Sequence, residues 1–170
     1  MQRKLLVSLL ALALPAALRA QAKVAVINTQ RAVLETAEMK RAAADLEAKY
    51  RPQQQDVEKR TKELQQIQEK LQNPKTTPQE GADLQAEGQR KQRTLQRLTE
   101  DLQAEVDRER TDILNQAGKR MQAIVAKLAE EKGLDLVVDA ANTIFFKPAM
   151  DITSEAIAAY DKQHPPKPAK

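Results

Sequence analysis

The sequence predicts an α+β protein in which a long antiparallel helical hairpin protrudes from a very small β body. Residues 29–132 are almost continuously polar and helical in character. The apolar runs typical of strands lie only at the two ends of that stretch, and they are Val24–Ile27, Leu134–Val138 and Thr143–Phe146. We therefore expect a body of about three short strands per subunit, built from residues 23–28 and 133–162, with residues 29–132 as its arm.

Residues 1–22 have the three parts of a secretory signal peptide. Arg3 and Lys4 precede the apolar run Leu5–Leu14, and Ala20-Gln21-Ala22 supplies small residues at the cleavage positions. The apolar run is shorter than the roughly 20 residues that span a membrane. We expect export from the cytoplasm with cleavage near Ala22, the alternative being an uncleaved membrane anchor.

Removal of the signal peptide changes the charge of the chain. Residues 1–22 contain three basic residues and no acid, so 28 Lys and Arg fall to 25 while 24 Asp and Glu remain. A nearly neutral mature chain argues against a nucleic-acid-binding protein, which needs an excess of basic residues. The chain has no cysteine, which excludes disulfides, thiol catalysis and cysteine-ligated zinc.

The first arm helix is expected to begin at Asn28 or Thr29, either of which can cap it, and to end near Gln72. Pro52 removes a backbone donor and predicts a kink or local break near Lys49–Gln53. Beyond Pro52 the apolar stripe is thin, because polar residues occupy alternate core positions of its seven-residue repeat. The apolar members of the stripe are Tyr50, Val57, Leu64, Ile67 and Leu71.

A turn over residues 73–78 leads into the second arm helix, which the capping box Thr77-Pro78-Gln79-Glu80 begins. This helix should run to about Lys132 with an apolar stripe of period eleven, formed by Leu84, Leu95, Val106, Ala117 and Leu128. Helices with different periods cannot interlock along their full length. We therefore expect partial contact, splaying, and a loose tip where Gly81 and Gly88 weaken the helix.

The body follows Gly133, a natural helix terminator. Leu134–Asp139 should form a strand, Thr143–Phe146 a second strand in hairpin with it, and Asp151–Lys162 a short helix. So small a sheet needs cover on both faces, which predicts an obligate oligomer. The residues expected to build the shared body are Val24, Val26, Leu136, Val138, Ile144, Phe145 and Phe146.

The residues that follow, 163–170, are expected to be a disordered tail in which His164 is solvated. The sequence also has no phosphate-binding loop, no nucleophile elbow and no metal-spaced His or Cys set. Acidic pairs such as Glu130-Glu131, or Asp135 with Asp139, are interpreted as a helix-end pair and solvent-facing strand edges. We therefore expect no catalytic residue, no cofactor, no metal site and no enzymatic activity.

The two ends of the mature chain resemble the Skp/OmpH-like periplasmic chaperones of Gram-negative bacteria. The residues that carry the resemblance are Lys23–Asn28 after the signal peptide, Leu134–Ala140, and Asp151-Ile152-Thr153, with glutamine-rich helical arms between them. The resemblance covers about residues 23–162, and the arms match only in length and character.

The resemblance implies a jellyfish-like homotrimer in the periplasm, with the helical arms surrounding a cavity. It implies that unfolded outer-membrane β-barrel proteins are held in that cavity without ATP until they insert into the membrane. A further partner implied by the family is an anionic membrane surface or lipopolysaccharide. Between Arg60 and Glu100, however, eight basic residues face six acidic ones, so this arm departs from a strongly basic one.

Two sets of arm residues are candidates for these contacts. The apolar residues of the tip half are expected to bind client, and they are Leu64, Ile67, Leu71, Leu84 and Leu95. A local basic patch is a candidate for binding anionic lipid, although we favour the interpretation that it is a solvated helix face. It comprises Arg90, Lys91, Arg93 and Arg97. The alternative function is a periplasmic coiled-coil adaptor that binds one folded envelope partner, which would require a more regular apolar stripe.

Overall fold

The computed structural model describes residues 22–166, and it confirms the predicted α+β class. Two long helices form an antiparallel hairpin, with every other element gathered at its root. In chain order the elements are β1 (Val24–Ile27), α1 (Thr29–Leu34), α2 (Ala37–Leu71), α3 (Pro78–Lys132), β2 (Leu136–Asp139) and α4 (Thr153–Gln163), with 3-10 turns at Ala140–Asn142 and Pro148–Met150. The predicted signal peptide up to residue 21 and the end of the predicted tail, 167–170, lie outside the described residues.

The sheet joins the two ends of the arm. β1 and β2 pair in parallel, with Val24 opposite Leu136 and Ile27 opposite Asp139. Just before the strands, the carboxylate of Asp135 accepts a hydrogen bond from the backbone N–H of Lys23 at 2.7 Å. Because parallel strands need a long crossover connection, the whole helical arm serves as that connection.

One face of this sheet packs on the helices. Side chains alternate between faces along a strand, so Ala25 and Ile27 point into the core while Val24 and Val26 point to the opposite face. The core cluster also takes residues from all four helices and from the segment before α4. Its members are Ala25, Ile27, Ala32, Val33, Met39, Ala117, Met121, Ile124, Ile152, Ala156 and Tyr160.

The predicted third strand, Thr143–Phe146, is not a strand within the chain. Asp139 caps a 3-10 turn by accepting a hydrogen bond from the N–H of Ala141 at 2.8 Å, and this turn replaces the tight hairpin turn that we expected. Asp151 instead lies beside β1, where it forms an isolated β-bridge with Val26. The N–H of the next residue, Ile152, donates a hydrogen bond to the carbonyl of Val26 at 2.9 Å. The sheet within the described chain therefore has two strands and one bridge.

The first arm helix is interrupted at a residue that the sequence analysis overlooked. Thr36 is buried, and its hydroxyl donates to the carbonyl of Val33 at 2.9 Å and accepts from the N–H of Met39 at 3.2 Å. Threonine can divert the backbone from a helix in this way, so α1 ends and α2 begins with Thr36 as its cap. The predicted break at Pro52 is wrong, because α2 continues from Ala37 to Leu71 with Pro52 on its exposed side.

The ends of α3 follow the sequence prediction. Thr77 and Glu80 form a reciprocal capping box with Pro78 in the first turn. At the other end, Gly133 adopts a φ of 61°, the left-handed conformation that glycine tolerates best. The apolar stripe of period eleven on α3 is also buried as predicted. Each of its five members is at least half-buried, and they are Leu84, Leu95, Val106, Ala117 and Leu128.

A polar junction fixes the arm to the body. The carboxylate of Glu38, in the first turn of α2, accepts hydrogen bonds from Arg120 of α3 at 2.5 Å and from the Tyr160 hydroxyl of α4 at 2.6 Å. Burial and the bond to Glu38 raise the pKa of Tyr160 to about 12. Burial alone would raise the pKa of Glu38, but its bonds to Tyr160 and Arg120 outweigh burial and hold that pKa below its ordinary value.

His164 corrects another expectation. It is half-buried rather than solvated, and its ring centroid lies 4.9 Å from that of Tyr160. Its backbone N–H donates to the carbonyl of Tyr160 at 2.8 Å, which extends the last turn of α4. The position next to a buried aromatic ring could not be read from the proline-rich sequence around His164.

We predict that Tyr160→Phe destabilises the body without unfolding it. Phenylalanine keeps the buried ring but removes the hydroxyl that binds the Glu38 carboxylate, which should cost about 1–3 kcal/mol. Urea denaturation monitored by circular dichroism measures the loss. Phe146→Tyr, a conservative change outside this junction, is the control, and equal stability of wild type and Tyr160→Phe would contradict the prediction.

The same junction predicts a dependence on acid. The folded-state pKa of Glu38 lies below the ordinary value of 4.5, so its stabilising contribution is present above that pH and is lost as the pH falls through the lowered value. Glu38→Gln should be less stable than wild type at pH 7, and the difference in stability should narrow as the pH falls below 4.5, towards the lowered pKa of Glu38. Denaturation midpoints measured from pH 7 to pH 3 test this, and a constant gap would count against it.

Candidate functional site

An apolar cleft lies on the side of the arm, in its root half. This cleft runs between α2 and α3 and has a volume of about 440 Å³. Its walls are mainly apolar, with charged or amide side chains at the rim. The residues that line it are Leu34, Met39, Lys40, Ala42, Ala43, Leu46, Glu47, Tyr50, Gln54, Val106, Arg110, Ile113 and Leu114.

The spacing of residues along the helices explains the cleft. On α2, Met39, Ala43, Leu46 and Tyr50 recur every three or four positions and form a wide apolar face. Alanine at two positions of this face leaves space that α3 does not fill. These root-side residues were not predicted, because the apolar stripe of the first arm helix was traced only from Tyr50 towards the tip. The same spacing of apolar residues also runs from Tyr50 towards the root.

Tyr50 lines the cleft near its end towards the tip, one helical turn before Gln54. Its side chain is only 1% exposed, and its hydroxyl donates to Glu109 Oε2 on α3 at 2.6 Å. Lys49 Nζ lies 2.5 Å from the same carboxylate oxygen and 4.9 Å from the centroid of the Tyr50 ring. The bonds from Lys49 and Tyr50 lower the pKa of Glu109, and the bond to Glu109 raises the pKa of Tyr50.

The five predicted client-binding residues do not form one exposed surface. Ile67 is buried, and a Cβ added to Gly88 of α3 would lie 3.4 Å from its Cγ2, so the helices approach closely there. Glu63 and Lys91 also join the two helices, at 2.6 Å, and their bond lowers the pKa of Glu63. The expected splaying of the tip half is therefore absent at these positions, while Leu64, Leu84 and Leu95 are half-buried and Leu71 is exposed.

The predicted basic patch is divided by the structure. Lys91 points towards α2, where it pairs with Glu63 and lies 3.7 Å from Glu87. Arg90, Arg93 and Arg97 are exposed, and their spacing places them together on the face of α3 that is turned away from α2. Within residues 22–166 none of these three arginines forms an ion pair.

Of the predicted body residues, Val26 is buried within the chain and the others remain at least partly exposed. Val24 pairs with Leu136 and Val26 with Val138, so all four share the sheet face opposite the helices. Leu136 is 53% exposed, and beyond the sheet Phe145 is 81% exposed and Ile144 is completely exposed. Phe146 is half-buried. The body thus carries an uncovered apolar surface.

Two other features, a metal site and a membrane-spanning helix, are absent from the described residues. From residue 22 to residue 166 there is no group of three or more acidic, histidine or cysteine side chains that could hold a metal ion. In the same part of the chain, none of the helices combines the length and the apolar character needed to cross a membrane.

Three comparisons with known proteins agree with this architecture. Residues 23–160 match the OmpH family, outer membrane protein (OmpH-like). A Skp-like protein of Pseudomonas aeruginosa is 28% identical over 140 residues, which cover 81% of this chain and 83% of that relative. A crystal structure of an OmpH-like protein from Caulobacter crescentus, described as an outer membrane chaperone, has the same fold, with a TM-score of 0.70 and 20% identity over 89% of this chain and 90% of that one. Because the family match extends over most of the chain, this protein belongs to the Skp/OmpH-like family.

Proposed function

We propose that this protein is a periplasmic chaperone that holds unfolded outer-membrane β-barrel proteins, without ATP, before they insert into the membrane. The observation that carries the proposal is the apolar cleft, which lies open along the side of a long, highly charged arm. Membership of the Skp/OmpH-like family supports it, as does the description of the Caulobacter relative as an outer membrane chaperone.

The physical requirements of holding an unfolded β-barrel protein fit this arm. Such a client exposes apolar strands and unpaired strand edges that aggregate readily. A holding protein therefore needs many weak contacts rather than one tight site. The cleft supplies apolar contacts, and the 20 basic and 19 acidic residues between positions 29 and 132 supply adaptable polar ones. Release without ATP then depends on a competing process, which is folding of the client into the bilayer.

The proposed functional unit is a homotrimer with the bodies joined and the arms around a shared cavity. The apolar face with Val24, Leu136 and Val138, together with exposed Ile144 and Phe145, supports burial between subunits, whereas Val26 is already buried within the chain. The body also has an apolar groove of about 390 Å³ beside the sheet, lined in part by Ile27, Met121, Val125 and Val137. Covering these surfaces would give the small body the core that a single chain lacks.

An anionic membrane or lipopolysaccharide remains a proposed partner of the arm. The support for it is the set of three exposed arginines, Arg90, Arg93 and Arg97, without ion-pair partners among the described residues. Arginine binds phosphate groups in a bidentate manner, which suits such headgroups. Lys91, which the sequence analysis grouped with them, is already paired with Glu63.

We predict that Phe145→Asp abolishes the oligomer. If Phe145 is buried between subunits, an aspartate there places an unpaired charge in an apolar layer at a cost of several kcal/mol. Analytical ultracentrifugation at micromolar concentration measures the assembly. Lys147→Asp, a charge change two residues further on, is the control. A folded monomer from the wild-type chain, or a trimer from Phe145→Asp, would overturn the proposed assembly.

We predict that client holding depends on the cleft more than on the tip. Leu34→Gln with Leu46→Gln should raise the concentration of protein needed to suppress aggregation several-fold, because each change removes up to about 1 kcal/mol of averaged apolar contact. The tip variant with Leu64, Leu71, Leu84 and Leu95 replaced by Gln should have a smaller effect. The measurement is light scattering after a urea-unfolded outer-membrane β-barrel protein is diluted into buffer.

Gln85→Ser with Gln92→Ser, two exposed changes on α3, is the matched control and should hold clients as well as wild type. Failure of the wild-type protein to reduce scattering would refute the chaperone function. Loss of all holding by one substitution would indicate a single docking site, and would favour the adaptor that binds a folded envelope partner.

A further inference from the structure

The middle of the arm contains a gap in the helical hydrogen bonds. Pro52 has no N–H, so the carbonyl of Ala48 lacks the donor that a helix normally supplies four residues later. α2 nevertheless continues through this point without interruption. A contact beside Pro52 can compensate for the missing bond by holding α2 in line.

The contact between the two helices nearest to this gap is that of Lys49 and Tyr50 with Glu109 of α3, which we name the clasp. Tyr50 is the largest side chain buried between the two arm helices, and its hydroxyl reaches Glu109 at 2.6 Å. Lys49 approaches the same carboxylate oxygen at 2.5 Å, so the bond from the tyrosine is charge-assisted. The clasp therefore combines a buried ring with a polar anchor at its far end.

Beyond the clasp the arm is weakly joined for a considerable length. The next side-chain hydrogen bond between α2 and α3 towards the tip, within residues 22–166, is that between Glu63 and Lys91. Thirteen residues separate Tyr50 from Glu63, which is roughly 20 Å along a helix. In this interval Gln53 and Arg60 occupy positions of the seven-residue repeat where a coiled coil would have apolar residues, because they precede Ile67 by fourteen and seven positions. Fewer apolar side chains are therefore available to hold α2 against α3.

We propose that the clasp is a latch that holds α2 against α3 at Pro52, and that its release lets the outer part of α2 bend away and opens the cleft towards the tip. Tyr50 is both a wall of the cleft and the side chain that anchors α2 to Glu109. Because Tyr50 lines the cleft, breaking its hydrogen bond to Glu109 and rotating its ring outward would change the shape of the cleft. The latch is a property of the arm alone, and only its effect on client holding rests on the proposed function.

Hydrogen exchange of the intact, assembled protein tests the latch. Tyr50→Phe keeps the ring and removes the hydroxyl, and it should increase exchange of amides in residues 48–62 by about tenfold, as expected for loss of a hydrogen bond to a charged group. Glu109→Gln retains an acceptor for the hydroxyl but loses the charge, and should give an intermediate increase. Exchange in β1, β2 and α4 should stay unchanged, which separates local opening from general destabilisation.

The matched control is Glu63→Gln, which removes the other charged contact between the arm helices, away from Pro52. It should increase exchange near residue 63 and leave residues 48–56 as in wild type. Unchanged exchange in Tyr50→Phe, or an equal increase at residues 48–56 in Glu63→Gln, would overturn the latch.

The light-scattering assay tests the consequence for holding. An opened cleft should accept client more readily, so Tyr50→Phe should need about one third of the wild-type concentration for half-suppression of aggregation. Faster exchange with unchanged holding would show that the latch exists but does not control the cleft, which would overturn that half of the proposal. Absence of holding in the wild type would refute the proposed function, while the exchange data would still decide on the latch.

Discussion

The structure depends on the parallel pairing of two four-residue strands. β1 and β2 bring together the ends of the 108 residues that lie between Ile27 and Leu136. The entropy lost on closing a loop rises only slowly with its length, so a long arm is scarcely harder to close than a short one. Two further contacts reinforce the closure, since Ile152 extends the sheet beside Val26 and Tyr160 binds Glu38 at the start of the arm. The contacts that hold the arm at its root therefore come from the strands, from Ile152 and from α4, all at the same end of the hairpin.

The arm itself is held by few interactions, and this is what leaves a surface for binding. Contacts between α2 and α3 are strong near the body, where Met121 and Ile124 belong to the core, and become separate anchors further out. Those anchors are Tyr50 with Glu109, Glu63 with Lys91, and Ile67 with Gly88. Between the core and the first anchor, the apolar face of α2 is wider than α3 can cover. The cleft lies where α3 does not cover this apolar face of α2.

Four of the departures from the sequence prediction have identifiable physical causes. Thr143–Phe146 has the composition of a strand, but a strand forms only where a partner edge is available, and Asp139 turns the chain away from β2. Pro52 should interrupt a helix, yet α2 is continuous there, with the Tyr50 ring buried two residues before it. His164 looked solvated and packs on Tyr160, while Thr36 breaks a helix that local composition favours. A buried aromatic ring lies beside Pro52 and His164, and a side-chain hydrogen bond to the neighbouring backbone turns the chain at Asp139 and Thr36.

Local chemistry in the sequence determined the helical hairpin, the turn at its tip, the capping box at Thr77, the glycine terminator at position 133 and the eleven-residue stripe of α3. These features depend on residues within one or two helical turns of each other, and their signals are therefore legible without a structure. The tertiary structure alone decided that β1 and β2 are parallel partners, that Glu38 joins Arg120 and Tyr160, and where the cleft opens. Each of these features requires residues tens of positions apart in sequence to meet. The sequence has no local signal that shows which distant side chain will bind a given polar group, or which apolar face will stay uncovered.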